Sequence, residues 1–200
     1  MNPWKWWSNY WFRPSRLFNL AVCRLILVAA QMFLLQYFET FDYLVMLATQ
    51  ASSGGDSLFY PLLVYRLLTL PFGSNFIPSI EWFQAIYYLT LLAGIGSFLG
   101  IWTNVSLGIF AIGNIFLQAF TYSFNEIHHP HGLMMIALSI LAVSPCGQTL
   151  SLDDLWKRLT QASQNRQLHL FNIFTQTSEF SRWPILLIQW IFAVCYASAF

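Results

Sequence analysis

The chain has 200 residues, of which 57% are hydrophobic and only 8% charged, and its formal net charge is +1. Soluble domains carry about 25% charged residues, so a chain this apolar could not cover its own surface in water. That excludes an ordinary soluble domain, the few scattered basic residues exclude a nucleic-acid partner, and the length suits a single membrane-embedded unit spanning 1–200.

Cys23, Cys146 and Cys195 lie far apart with no C-x-x-C. They argue against a thiol–disulfide oxidoreductase or a thiolate metal site and read as small apolar packers plus one loop thiol. The N-terminus is Trp-rich and lacks a small-residue cleavage site, so the first apolar run is expected to remain as a signal anchor.

Trp4, Trp6, Trp7, Tyr10, Trp11 and Phe12 alternate with Lys5, Arg13 and Arg16. Rings at headgroup level with cations facing anionic lipid make an interfacial belt. A first span follows over about 17–37. Arg24 lies inside it, with two readings. It snorkels back to the near headgroups, or it is a fixed positive charge in the bundle interior that holds an anionic group or a helix end. The second reading makes it a ligand-binding candidate.

From Glu39 to Ser79 the chain is mixed, with a flexible turn at Ser52-Ser53-Gly54-Gly55-Asp56. The apolar run from Phe59 to Leu70 ends at Pro71 and is too short to span, so it reads as a re-entrant or interfacial helix with Arg66 toward water or headgroups. A second span covers about 82–98, where Gly94 and Gly96 permit close helix approach. A third covers about 105–122, with Asn114 and Gln118 on one face as interhelical hydrogen-bonding groups. The fourth, about 130–144, starts with Pro130 in its first turn and ends at Pro145-Cys146-Gly147.

Ser151 has the character of an N-cap, and Asp153 and Asp154 suit a first helical turn. Leu152, Leu155, Trp156 and Leu159 then share one face opposite Asp153, Lys157 and Gln161, the pattern of an amphipathic helix on a membrane surface. His169 reads as a solvated loop residue. A last span runs over about 184–200. The expected fold is therefore all-α: a polytopic bundle of about five spans with one short re-entrant or interfacial helix and one cytoplasmic amphipathic helix. Lys5, Arg13 and Arg16, together with Lys157, Arg158, Arg166 and Arg182, fall on one side of such a bundle, which makes the N-terminus cytoplasmic.

The densest chemistry lies on the outer side, in Asn125-Glu126-Ile127-His128-His129-Pro130-His131. Glu126, His128, His129 and His131 offer nitrogen and oxygen metal ligands at close spacing. A di-iron site needs several histidine boxes, and a haem needs histidines deep in two helices; neither pattern is present. The same residues also read as a polar cap wetting a helix end.

The order of these segments resembles the vitamin K-dependent gamma-glutamyl carboxylase family, within the wider horizontally transferred transmembrane (HTTM) group. The resemblance runs from about Phe59 to Trp156. Its elements are Tyr60-Pro61-Leu62-Leu63 to Leu70-Pro71, Glu81-Trp82-Phe83, the glycine-rich Leu92 to Gly100, Ser123-Phe124-Asn125-Glu126-Ile127-His128, Gly132-Leu133 and Ser151-Leu152-Asp153. In that family an aromatic residue and two asparagines precede a catalytic histidine. Phe124 and Asn125 match, Glu126 replaces the second asparagine, and His128 is the nearest histidine, one position late.

The resemblance implies a reduced quinone of vitamin K type as cofactor. It makes His128, His131 and Glu126 catalytic candidates and Asn125 a ligand-binding one. It also implies a base lysine beyond the fifth helix; Cys195-Tyr196-Ala197-Ser198-Ala199-Phe200 resembles the approach to it, and the sequence reaches Phe200 first. The family's large lumenal domain is likewise not included, so full carboxylase activity is not expected of this stretch. Three readings remain open: quinol- or lipid-linked redox chemistry at the outer face, a non-enzymatic scaffold with a membrane-protein partner or a second copy, and an outer-face metal site. The lipid bilayer is a partner in all three.

Overall fold

A computed structural model describes residues 3–52, 59–73, 76–124, 129–165 and 180–197. Helix dominates them because the apolar runs satisfy their backbone groups internally, as a bilayer demands. Helix α1, Pro3–Phe12, begins with a proline, whose missing N–H costs nothing at that position. Strand β1, Pro14–Ser15, pairs antiparallel with β2, Phe180–Ser181. Helix α2 is Leu17–Phe38, α3 is Phe41–Ser52, and α4 is the short Leu63–Leu68, followed by a 3-10 turn at Leu70–Phe72. Then come α5, Ile80–Leu99; α6, Thr103–Tyr122; α7, His129–Ala142; α8, Leu152–Asn165; and α9, Trp183–Ala197.

Helices α2, α5 and α6 are long and apolar enough to cross a membrane, and α7 and α9 are shorter apolar helices. The outward faces carry Ile26, Phe33, Leu92, Ile95, Val105, Ile112 and Val194. Such a surface suits hydrocarbon rather than water.

Two stretches differ from expectation. Residues 3–12 and 41–52 are helical where no helix was expected. Helix α3 has a start signal, because the Thr40 hydroxyl accepts from the Tyr43 N–H at 3.4 Å. It buries Leu44, Leu47, Ala48 and Ala51, at helical spacing. Conversely, the short apolar helix begins at Leu63, not Phe59. Pro61 favours extended backbone in the residue before it. The Tyr60 N–H donates to the Ser123 carbonyl at 2.7 Å and the Leu62 N–H to the Ser123 hydroxyl at 3.2 Å.

The glycines set the closest helix crossings. A Cβ on Gly113 would lie 2.1 Å from Thr90 Oγ1, and one on Gly94 would lie 2.8 Å from Phe110 Cε2, so α5 packs antiparallel against α6 with no room between backbones. Helix α7 packs antiparallel on another side of α6: the Asn104 amide donates to the carbonyls of Ala142 and Ser144, both at 2.8 Å. Helix α2 lies parallel to α6, joined to it mid-way by Gln31 Nε2 donating to Asn114 Oδ1 at 3.0 Å. One apolar cluster, including Leu20, Val28, Phe110 and Leu138, fills the bundle toward the α2 N-terminus. A second, including Leu35, Leu44, Tyr65, Phe83 and Phe120, fills the opposite end.

Candidate functional site

Three polar side chains meet at the second end, where α2 finishes, α6 nears its finish and α7 begins. Glu39 follows the last residue of α2, Gln118 sits one turn beyond Asn114 on α6, and His131 lies in the first turn of α7. All are withdrawn from solvent, at 2%, 0% and 4% exposure. Gln118 Nε2 donates to Glu39 Oε1 at 2.5 Å and lies 2.5 Å from His131 Nδ1. His131 Nδ1 and Glu39 Oε1 are 3.8 Å apart, and the Phe38 ring meets the imidazole edge-on at 5.6 Å.

The donor count gives the chemistry. A primary amide nitrogen carries two hydrogens, so Gln118 can donate to the carboxylate and to an unprotonated Nδ1 together. In that state His131 is neutral, with its proton on Nε2. If the amide turns over, its oxygen can accept from a protonated Glu39 and from an Nδ1–H instead. The triad can thus hold a proton more or less without leaving the amide idle. Glu39 Oε2 and Gln118 Oε1 are buried and accept no hydrogen bond among the described residues.

The same half of the bundle carries an apolar cleft of about 240 Å³. Phe72, Phe76, Pro78, Trp82, Ile86 and Phe116 line it, and almost nothing polar does. A hydrocarbon tail fits that lining.

At the other end, Arg24 is fully buried. Its guanidinium donates to the carbonyls of Cys146 at 3.0 Å and Leu150 at 2.5 Å, tying α2 to the turn after α7. Asp153 on α8 accepts from the Thr103 N–H at 3.1 Å, at the start of α6. Ser151 acts as the expected N-cap, its hydroxyl accepting from the Asp154 N–H at 3.0 Å. Cys146 is fully buried, its thiol donating to the Leu141 carbonyl at 3.3 Å, which suits a packing role.

Of the residues singled out from sequence, His131 is in this site and Arg24 is not. Fifteen residues of helix separate Arg24 from Glu39, about 22 Å. Asn125, Glu126 and His128 lie outside the described residues, as does the side chain of His129. The metal reading falls largely on those positions; among the described residues no group of three or more His, Cys, Asp or Glu could hold a metal ion. The carboxylate facing His131 is Glu39, which sequence reasoning passed over. One signal was available: it is the acidic residue that closes the first apolar run, and an ionisable group at the margin of a span is a functional pointer. No family model, curated protein or solved structure matches this chain.

Proposed function

We propose that the chain is a five-span integral membrane protein that takes a proton from a lipid-soluble, quinol-type substrate at the outer end of its bundle. The observation that carries this reading is the buried Glu39–Gln118–His131 triad, with an apolar cleft in the same half of the molecule. Glu39 is the acceptor, because Oε2 has an open lone pair; Gln118 transmits the change of charge; His131 orients the amide. A positioned acceptor of this kind contributes about 10²–10⁴-fold to proton transfer.

The placement of basic residues supports an N-terminus on the cytoplasmic side. Arg13 and Arg182 are adjacent through the β1–β2 pair, where the Arg182 N–H donates to the Arg13 carbonyl at 3.2 Å. Lys157 is on α8, which meets the same end through the Asp153–Thr103 bond. On α8, Leu152, Leu155, Trp156 and Leu159 leave an apolar face exposed, as an interfacial helix requires. The resemblance to the transmembrane part of vitamin K-dependent carboxylases belongs to this proposal, with the outer-end acid–base group as what the two would share.

The test is quinol oxidation by protein reconstituted in liposomes with a supplied electron acceptor. Glu39→Gln is expected to reduce turnover about a hundredfold, and His131→Ala to reduce it less, since it removes orientation and not the base. Turnover unchanged in Glu39→Gln, or none in the folded wild type, sinks the reading.

A further inference from the structure

Helix α1 and the β1–β2 pair enclose a cleft of about 490 Å³ at the end of the bundle opposite the triad. Its lining includes Trp6, Ser8, Asn9, Tyr10, Arg13 and Arg182. The antiparallel register sets Pro14 opposite Ser181, so Arg13 and Arg182 fall across from each other on the two chains. Like charges at such positions repel, and with no carboxylate beside them among the described residues they leave net positive charge to be answered. Among the described residues no acidic side chain lines the cleft. The Arg182 guanidinium stacks on the Tyr10 ring at 5.3 Å, and its Nε is buried without an acceptor among the described residues. Tyr10 is in turn held by Trp190 Nε1, which donates to its hydroxyl at 3.1 Å. One arginine is thus pinned in orientation with a donor unspent.

We propose that this cleft binds a phosphate-bearing anion, with Arg13 and Arg182 as its ligands and Ser8 and Asn9 as neutral partners for whatever the phosphate carries. Guanidinium groups match phosphate oxygens through paired, parallel N–H bonds, which a lone ammonium cannot reproduce. The cleft sits where α2 and α9 begin, among interfacial tryptophans, so the phosphate can belong to an anionic phospholipid headgroup or to a soluble phosphate ester. The site stands apart from the triad and does not depend on its function.

Native mass spectrometry of the detergent-solubilised full chain, with added phosphatidylglycerol or phosphatidylcholine, reads the lipid arm. Glycerol phosphate added as competitor reads the soluble one. Wild type is expected to retain phosphatidylglycerol over phosphatidylcholine, and the double variant Arg13→Gln/Arg182→Gln to bind it about 10- to 30-fold more weakly. Arg66→Gln, an exposed arginine on α4, is expected to bind as wild type does. Displacement by glycerol phosphate assigns the site to soluble esters, and resistance to it assigns the site to lipid. Because losing Arg182 also removes the Tyr10 stack, Arg13→Gln alone is the second variant; it keeps that stack and is expected to weaken binding several-fold. Equal binding by wild type, Arg13→Gln and the double variant overturns the proposal.

Discussion

Gln118 has two N–H bonds and two acceptors within reach, and that count sets what each substitution does. Gln118→Leu keeps the volume nearly constant but strips the buried Glu39 of the Gln118 donor. An uncompensated buried charge costs about 3–5 kcal/mol, far more than the hydrogen bond alone. Adding Glu39→Leu removes the charge, so Glu39→Leu/Gln118→Leu is expected to be more stable than Gln118→Leu by a clear margin. Thermal unfolding in one detergent, run as a double-mutant cycle, measures the difference. If Gln118→Leu unfolds with the wild type, Glu39 is not carrying a buried charge against this amide. Asn114 obeys a milder rule. Both ends of its amide are used, Oδ1 by Gln31 and Nδ2 by the Phe110 carbonyl at 2.7 Å, and no ionisable group is involved.

Between elements, glycine decides how close the helices come. Gly100 ends α5 with φ at 76°, and a Cβ there would lie 2.3 Å from the Ser151 Cβ. A Cβ on Gly108 of α6 would meet nothing within 4 Å. Gly108→Ala is therefore expected to gain up to about 1 kcal/mol of helix propensity, while Gly100→Ala loses at least about 1 kcal/mol from the left-handed backbone before any clash is counted. Opposite shifts in unfolding temperature check this, and shifts of the same sign would remove the argument. The helix pairs behind such contacts were partly legible in sequence. The long apolar runs gave α2, α5 and α6 to within two residues, because burial and length coincide there. Helix α3 was missed because Tyr43 to Ala48 is an unbroken apolar run between Asp42 and Thr49-Gln50, too short to span and with its helical spacing hidden by that continuity. The pairing of Glu39 with Gln118 was not legible at all. Position along α2 and α6 gives depth, but rotation of each helix about its axis is set by packing against neighbours far away in sequence.

Whether the whole molecule crosses the bilayer three or five times turns on α7. Its 14 residues reach about 21 Å, short of a hydrocarbon core near 30 Å. Yet its two ends meet the two ends of α6: His131 beside Gln118, and the Ala142 carbonyl on Asn104. A crossing by α7 requires the turn beyond Ala142 to make up the shortfall, and irregular backbone at that depth is tolerated only if protein satisfies its polar groups. Arg24 does so, by donating to the carbonyls of Cys146 and Leu150. A buried arginine in α2 is thus what satisfies the turn after α7 inside the bundle. The β1–β2 pair then sets the start of α9 beside the start of α2, so the two helices begin on one side. Both features support five crossings, and the count is testable. In a cysteine-free background, Ser79→Cys before α5 and Lys157→Cys on α8 are to be labelled with a membrane-impermeant maleimide in sealed, right-side-out vesicles. With five crossings, Ser79→Cys reacts at once and Lys157→Cys reacts only after lysis. With three, everything beyond Tyr122 is outside, and Lys157→Cys labels in intact vesicles. That single outcome would leave α7 and α9 on the outer surface and detach the triad from any span-buried role.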